Sequence, residues 1–403
     1  MRGARITAAA VAAVGLLAAI GATVATGKPN AGNPIIIGAA IDASGQMSPF
    51  DDPALTAAQL EIKKINAAGG VNGRQLEMMT CDTKNSTPGV ATSCASSLAS
   101  KGAVIGWVTC DVNFAAPAAL TFLSNGLLTV APCIGTDQMG PKRFGAAKGK
   151  LAFSFGNVAQ DEGAAMAEYA YKVKHWKTAT TVTDNLLVYF QNVVQAFSQR
   201  FKELGGKIVD AESFTNGDKT IQNVVSRVNQ QKADVIVTSD GFSDWPTEVS
   251  GIRSLGNNTP IMNSWAGDGT FWYPKNPKVT NYWYVTYASV FGDDPSTQVK
   301  ALIAQMKAQG AKSAPATGGF VTGAAAIDGI VTAIRRAGGS TDGAKLAATM
   351  EKFHNVPTIS GFVSFSPLLH SVFGRTYRVI EVQNNTPKLV GTIKASKPAT
   401  LSG

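Results

Sequence analysis

Histidine is scarce in this chain, and the three histidines (His175, His354 and His370) lie far apart in the sequence. Histidine is the side chain most often used as a general base, so catalysis of that kind has few candidates. The sequence also has no nucleophile elbow, P-loop, dinucleotide fingerprint, paired acid motif or HExxH motif. These absences argue against an enzyme, and no cofactor or metal is expected.

Charge is also limited, because only 16% of the residues are charged and 45% are hydrophobic. This composition excludes a disordered chain, and 403 residues are enough for two globular lobes with their own cores. The formal charge of +9 is spread among acidic neighbours and not collected in a stripe. A nucleic-acid interface would show a basic patch with interleaved aromatic residues, so no nucleic-acid partner is expected.

Long hydrophobic runs are absent after the amino terminus. Residues 1–25 combine a basic start, an uncharged apolar run and small residues ending at Ala25, which predicts a cleaved signal peptide. A retained anchor is the alternative, but the apolar run from Ile6 to Ile20 is short for a membrane-spanning helix. No cysteine directly follows that run, so lipid attachment of the bacterial lipoprotein kind has no acceptor. We expect an exported protein, in the periplasm or at the cell surface.

Only four cysteines occur, and their spacing does not resemble a zinc site: Cys81, Cys94, Cys110 and Cys133. An even number in an exported chain favours disulfides. Cys110 and Cys133 each follow an apolar run that predicts a strand, while Cys81 ends a strand and Cys94 lies in the next helix. The predicted pairs are 81–94 and 110–133, with 81–110 as the competing pair.

The stretch Ala57–Asp82 sets the pattern for the rest of the chain. An amphipathic helix ends at Gly69-Gly70, where glycine can adopt the left-handed cap, and a short strand follows after a tight turn. With the apolar strand Ile35–Ile41 upstream, these segments predict a right-handed βαβ unit. The pattern then repeats.

Two doubly wound sets of alternating strands and helices are predicted, followed by consecutive helices and closing strands. The predicted strands are 35–41, 75–81, 103–108, 127–131, 178–183, 207–211, 234–238, 259–262, 282–287, 361–365, 375–382 and 388–393. The predicted helices after the first are 88–101, 114–125, 159–174, 189–204, 219–231, 245–255, 295–309, 319–337 and 342–352. Phe153–Phe155 is interpreted as an extended crossing segment.

The fold class is therefore α/β, with two parallel-sheet lobes joined by three hinge segments. We expect residues 34–154 and 289–357 in lobe 1, and 155–288 and 358–395 in lobe 2, with crossings near 155, 288 and 358. Ligands of such sheets bind beyond the carboxyl ends of the strands. The loops that meet there are predicted to be 42–53, 109–113, 132–138, 184–190, 240–245 and 263–268.

The arrangement resembles the type I periplasmic solute-binding proteins, and within them the leucine/isoleucine/valine-binding proteins of ABC importers. The resemblance rests on INAAGGVNGRQLE (residues 65–77), Ser44-Gly45, Val104-Ile105-Gly106, Val130-Ala131-Pro132 and Ile359–Phe365. It implies a monomeric receptor that captures a small molecule between two closing lobes and delivers it to a membrane permease. A sensory module coupled to a signalling partner is the alternative.

The resemblance also implies a set of ligand-binding residues. In the family, a hydroxyl after the third strand and a threonine after the fourth hold the ligand's carboxylate and ammonium. The matching hydroxyl position is Thr109 or Cys110, and the matching threonine is Thr136. Backbone N–H groups of Cys110, Asp111, Gly135 and Thr136 are candidates to cradle an anion. Aromatic positions facing the ligand correspond to Phe50, Tyr189 and Phe242.

Trp265 is the most informative departure from the family pattern, because amino-acid binders carry a glutamate there to pair the ligand's ammonium. Burying an ammonium without a counter-charge is costly, although Asp240 and Asp268 are close in sequence. The expected ligand is therefore a small hydrophobic amino acid or a related aromatic or aliphatic carboxylate.

Overall fold

The computed structural model describes residues 32–310 and 314–398, so the predicted signal peptide lies outside the described residues. The first sheet contains five parallel strands in the order β2-β1-β3-β4-β5. They are β1 (Ile35–Ile41), β2 (Leu76–Asp82), β3 (Ile105–Val108), β4 (Leu128–Ala131) and β5 (Ala152–Ser154). Strands β3 and β4 are buried along their whole length, as expected for a parallel sheet covered on both faces.

Four helices connect the strands of the first sheet: α1 (Ser48–Ala67), α2 (Pro88–Ser100), α3 (Val112–Ser124) and α4 (Pro141–Gly149). The predicted glycine stop after α1 is confirmed, because Gly70 has a φ of 77°. Its N–H donates to the carbonyl oxygen of Ile65, and a Cβ there would lie 2.1 Å from the carbonyl oxygen of Arg74. Glycine is therefore required by both the backbone conformation and the space.

The second sheet contains seven strands in the order β14-β13-β10-β9-β8-β6-β7. The later strands of the chain are β6 (Thr178–Asp184), β7 (Lys207–Phe214), β8 (Val235–Ser239), β9 (Ile261–Asn263), β10 (Tyr282–Thr286), β11 (Val356–Thr358), β12 (Gly361–Val363), β13 (Tyr377–Gln383) and β14 (Thr386–Ile393). Strands β6 to β10 pair in parallel, whereas β13 and β14 add to the β10 edge in antiparallel fashion. The α/β class with two parallel-sheet lobes is confirmed.

The later helices are α5 (Ala159–Glu168), α6 (Val188–Glu203), α7 (Ile221–Val228), α8 (Trp245–Ser254), α9 (Thr297–Ala308), α10 (Phe320–Arg336) and α11 (Gly343–Met350). The helix predicted over 159–174 is shorter, because α5 is followed by a π-helical turn, Tyr169–Val173. A 3₁₀ turn, Trp265–Gly267, follows β9. Helices α9 and α10 both pack on α1, and α11 contacts α10 and β4.

The interpretation of Phe153–Phe155 as a crossing segment was wrong, because residues 152–154 form β5. Phe153 pairs with Val130 of β4, and the chain crosses to α5 only after Phe155. Three residues show that the segment before β13 packs in the first core, namely Val363, Phe365 and Val372. Ser371 also forms a bridge with Ser154 at the end of β5. Among the described residues, no helix is long and apolar enough to cross a membrane.

Candidate functional site

A cavity lies between the two sheets, at the carboxyl ends of their strands. The residues that line it on the side of the first sheet are Met47, Phe50, Cys110, Asp111 and Gly135. Those on the side of the second sheet are Leu187, Tyr189, Phe190, Gly241, Phe242, Trp265 and Ala266. Each of the six predicted loops contributes at least one residue. The cavity volume is about 20 Å³, which is room for about one water molecule.

Aromatic side chains from the two sides contact each other across this cavity. Phe50, in the first turn of α1, packs edge-on against Trp265 with ring centroids 5.2 Å apart. Phe114 of α3 contacts Phe242, in the loop after β8, at 6.3 Å. Such pairs stabilise each other beyond the burial of their area. The two lobes are therefore in contact through an apolar wall.

Gly135 is a position where the two sides approach each other closely. A Cβ on Gly135 would lie 2.5 Å and 2.6 Å from two ring carbons of Tyr189 and 3.3 Å from Oδ1 of Asn157. Real Cβ atoms do not approach ring carbons so closely, so a side chain at this position would push Tyr189 away. Because Gly135 belongs to the first-sheet side and Tyr189 to α6, the absence of a side chain permits the close contact of the lobes.

Tyr189 presents its ring to the cavity while its hydroxyl is engaged behind it. The hydroxyl donates to the carboxylate of Glu162 in α5, at 2.9 Å from both oxygens. Oε1 of Glu162 also accepts the backbone N–H of Trp265 at 2.7 Å, and Oε2 accepts Nδ2 of Asn157 at 2.8 Å. Glu162 of α5 therefore fixes two cavity residues, Tyr189 and Trp265, through hydrogen bonds.

Glu162 was not among the predicted site residues. It is fully buried, and that burial raises its pKa, while the bonds from Trp265, Asn157 and Tyr189 oppose the rise. A charged side chain among the small residues of α5 was the signal that could have identified it, but acidic residues in a helix's first turn are common for another reason, their interaction with the helix dipole. The carboxylate sits beside the backbone of Trp265, where the family pattern has a glutamate side chain.

Asp51 is a second buried carboxylate that sequence reasoning missed. Its Oδ2 accepts the hydroxyl of Thr109 at 2.5 Å and the backbone N–H of Asp42 at 2.9 Å. Its Oδ1 accepts the backbone N–H of Cys110 at 2.8 Å. Burial raises the pKa of Asp51 to about 7, although the three hydrogen bonds favour the ionised form. Two donors predicted to bind a ligand therefore have an internal acceptor.

The predicted site residues divide into two groups. Phe50, Cys110, Asp111, Gly135, Tyr189, Phe242 and Trp265 line the one cavity, whereas Thr109 and Thr136 do not. Thr109 is buried behind Cys110 on Asp51. Thr136 is also fully buried, and its hydroxyl accepts the N–H of Gln138 because the backbone turns its side chain into the loop. The role of the lining residues in binding stays a prediction.

The acids considered as substitutes for the missing glutamate have other partners. Asp268 accepts the hydroxyl of Thr286 and the N–H of Gly318 on Oδ2, which ties its loop to the segment before α10. Asp240 accepts the N–H groups of Gly241 and Phe242 through Oδ1. Neither carboxylate lines the cavity.

Both predicted disulfides are confirmed. Cys81 bonds to Cys94 with Cα atoms 5.5 Å apart, and Cys110 bonds to Cys133 with Cα atoms 4.8 Å apart. The second bond joins the loops after β3 and β4, so it fixes one side of the cavity. Asp111 caps the following helix, because Oδ1 accepts the N–H groups of Asn113 and Phe114. Burial raises the pKa of Asp111 to about 6.

Arg375 joins three segments that are distant in the sequence. Its Nη2 donates to the carbonyl oxygens of Phe155 and Gly156 at 2.9 Å and 2.8 Å, and Nη1 donates to Ser360 at 3.0 Å. The guanidinium also lies over the ring of Tyr287, 4.8 Å from its centroid. Those partners come from the segments after β5, after β10 and after β11, so one buried side chain bonds to or stacks on all of them.

Two lobes of this topology, with a cavity at the strand ends, agree with a family-level comparison. The model of the periplasmic binding protein family matches residues 34–387. The chain belongs to this family. The chain is 23% identical over 334 residues to the Leu/Ile/Val-binding protein BraC3 of Rhizobium johnstonii. The alignment covers 82% of this chain and 87% of that protein.

Solved structures of periplasmic binding proteins show the same fold. The substrate-binding protein LivJ of Streptococcus pneumoniae, in complex with isoleucine, superposes with a TM-score of 0.77 at 20% identity, over 90% of this chain and 99% of that chain. A solute-binding protein of an ABC transporter from Rhodopseudomonas palustris, in complex with 3,4-dihydroxy benzoic acid, gives a TM-score of 0.72 at 16% identity, over 91% and 96%. The type I periplasmic binding protein fold is thus confirmed.

Proposed function

We propose that this periplasmic binding protein is the exported receptor of an ABC importer of the branched-chain amino acid type. It captures a small, mainly hydrophobic organic solute between its lobes and delivers it to a membrane permease. It binds the solute without turnover, acts as a monomer and works outside the cytoplasm. The predicted signal peptide at residues 1–25 is part of this proposal.

The observation that carries the proposal is the cavity lined by both lobes at the carboxyl ends of their strands. Phe50 from one side and Trp265 from the other form its wall, so a solute placed there contacts both lobes at once. Only such a solute stabilises the closed arrangement relative to the open one, because a ligand shifts an equilibrium only by its differential affinity. Lobe closure is then the signal that a permease reads.

The lobes of the proposed receptor are residues 34–154 with 289–357, and 155–288 with most of 358–395. We place the third passage between Val372 and Tyr377 instead of near residue 358, since Val372 follows Ser371, which bridges to Ser154 of the first sheet, and Tyr377 begins β13 of the second sheet. Arg375 lies at this passage. The three passages together form a hinge at which few backbone positions have to move.

The apolar wall favours a solute with a hydrophobic body, and the ligands of similar proteins suggest which kinds of body fit. The isoleucine complex of LivJ and the dihydroxybenzoic acid complex from R. palustris show that this fold accepts aliphatic and aromatic bodies. Similarity to these proteins therefore makes hydrophobic amino acids and aromatic or aliphatic carboxylates the candidate solutes. Uncharged analogues with the same bodies belong in the same screen.

Small-angle X-ray scattering of the purified protein tests the proposal. A panel of leucine, phenylalanine, their deaminated acids and the corresponding amides is screened first by thermal shift, because a ligand that binds the folded state raises the melting temperature. A solute that stabilises the protein should also reduce its radius of gyration.

Two glycine variants test whether compaction is closure at this cavity. Gly135→Ala should abolish compaction and weaken solute binding at least tenfold, because its Cβ would meet the Tyr189 ring. Gly89→Ala is the matched control, since nothing lies within 4 Å of a Cβ there. If no solute causes compaction, or if both variants behave like the parent protein, the receptor model is wrong.

A further inference from the structure

The anion cradle predicted beside the cavity already holds a carboxylate of the protein itself. The hydroxyl of Thr109 and the backbone N–H of Cys110 are two of the donors predicted for this cradle, and both donate to Asp51. Asp51 is 2% exposed, and it is fixed further by the N–H of Asp42. The side chain that completes the cradle comes from the first turn of α1.

The surroundings of the cavity also disfavour an added negative charge. Its twelve described lining residues include one acid, Asp111, and no lysine, arginine or histidine. Behind the wall stand the buried carboxyl groups of Asp51 and Glu162. Arg375 donates through Nη1 and Nη2 to backbone carbonyl oxygens, and the exposed Arg143 bonds to Asn113 and Gln138. A buried carboxylate without a partner cation is costly.

We propose that Asp51 is a built-in substitute for a solute carboxylate, so that this cleft selects small apolar solutes that carry no carboxylate. The inference rests on the proposed receptor function and specifies its solute class. A neutral amide or alcohol with an aliphatic or aromatic body is the class that fits. The indole N–H of Trp265 is buried and has no acceptor among the described residues, so an uncharged oxygen acceptor would pair with it.

A structural role for Asp51 does not compete with this proposal. The bonds to Asp42, Thr109 and Cys110 join the loops after β1 and β3 to α1, which orders one wall of the cavity. The same bonds occupy the Thr109 hydroxyl and the Cys110 N–H, two donors that the family resemblance assigns to a solute carboxylate. A solute acid would have to displace Asp51, leaving that carboxyl group buried without its partners.

Matched pairs of uncharged and acidic probes test the inference on the full-length mature protein. The pairs are 4-methylpentanamide with 4-methylpentanoate, phenylacetamide with phenylacetate, and benzamide with benzoate, together with leucine. Isothermal titration calorimetry at pH 8 should give a dissociation constant at least 30-fold lower for the best amide than for its acid. Leucine should bind no better than the acids.

The variant Asp51→Ala frees the cradle and should reverse part of this preference. We expect its affinity for the best-fitting acid to rise at least tenfold while its affinity for the amide changes less than threefold. Asp52→Ala is the matched control, because Asp52 is the next residue of the same helical turn and is only partly buried. It should keep the parent preference.

The outcomes separate the inference from the receptor function. If the parent protein binds an acid or leucine as tightly as the matching amide, the inference is wrong and the receptor function stands. An unchanged preference in Asp51→Ala also contradicts it, provided that the variant retains the parent circular dichroism. Should Asp51→Ala fail to fold, the probe pairs on the parent protein still decide. If no probe binds or compacts the protein, the receptor function fails and the inference falls with it.

Discussion

Asp51 shows how one side chain can combine a structural and a selective role. Its usual pKa is near 3.8, and burial raises it to about 7 in the folded protein. In a carboxyl group whose folded pKa is raised, the folded state favours the protonated form. The stabilisation from protonation is complete below the unfolded pKa and is lost as the pH rises through about 7. Stability should therefore respond to this residue between pH 4 and pH 7.

The variant Asp51→Asn should remove that response. The parent protein gains up to about 1.4 kcal/mol of unfolding free energy per pH unit from Asp51 as the pH falls from 7 towards 4. Asparagine does not titrate, so the stability of the variant relative to the parent should fall as the pH is lowered. Urea unfolding at pH 8, 6.5 and 5 measures this difference.

Other carboxyl groups with raised pKa values do not affect the comparison between the two proteins. The carboxyl groups of Asp111 and Asp268, whose pKa values burial raises to about 6, are present in both proteins and cancel in the difference. The carboxyl group of Asp42 also faces Asp51 and raises its pKa, and it too is unchanged in the variant. A difference that does not vary with pH would show that Asp51 is ionised throughout.

At the scale of single residues, the sequence predicted position better than orientation. Phe50, Tyr189 and Trp265 line the cavity because large apolar side chains at the strand ends have few other places to pack. Thr136 lies in the predicted loop after β4, but it does not line the cavity, and its hydroxyl accepts a bond within its own loop. The partners of Asp51 depend on tertiary contacts, since Thr109 is 58 residues away. No local pattern encodes such a contact.

Among the elements, those with an uninterrupted pattern were predicted with small errors at their ends. Helix α10, predicted over 319–337, spans Phe320–Arg336, and β8, predicted over 234–238, spans Val235–Ser239. Strands of three residues were harder to predict. β5, for example, is too short to show an alternating hydrophobic pattern. The π-helical turn after α5 was missed since its residues continue a helical composition.

Arg375 bonds to residues on both sides of the chain near the proposed hinge, and its contribution is open to a direct test. Arg375→Met would leave the carbonyl oxygens of Phe155, Gly156 and Ser360 without this donor in a buried place. Breaking buried bonds to a charged group costs about 3–5 kcal/mol of unfolding free energy. Urea denaturation of the parent and the variant measures the loss.

Arg227→Met is the control for the hinge variant. Arg227 pairs with Glu212 on the surface, and its side chain is 48% exposed, so its loss should destabilise the protein far less than the loss of Arg375. Equal effects of the two substitutions would mean that the bonds of Arg375 across the hinge contribute no more than a surface ion pair.

In the whole molecule, residues at the strand ends of the two sheets contact each other in one apolar wall. Because this wall contains Trp265, the proposed closure of the lobes should be observable by tryptophan fluorescence. Trp265 is 4% exposed while it packs on Phe50, and separation of the lobes would bring water to its indole ring. A solute that closes the lobes should therefore shift the tryptophan emission of the protein to shorter wavelength. The substitution Trp265→Phe should remove most of that shift.

Trp283 provides a matched control because it has the same exposure of 4%. It lies in β10 and packs against Trp176, with ring centroids 5.5 Å apart, outside the cavity lining. Trp283→Phe should therefore keep the solute-dependent shift. A shift that survives Trp265→Phe but disappears in Trp283→Phe would place the movement within the second lobe instead of between the lobes. That result would contradict closure at the wall formed by Phe50 and Trp265.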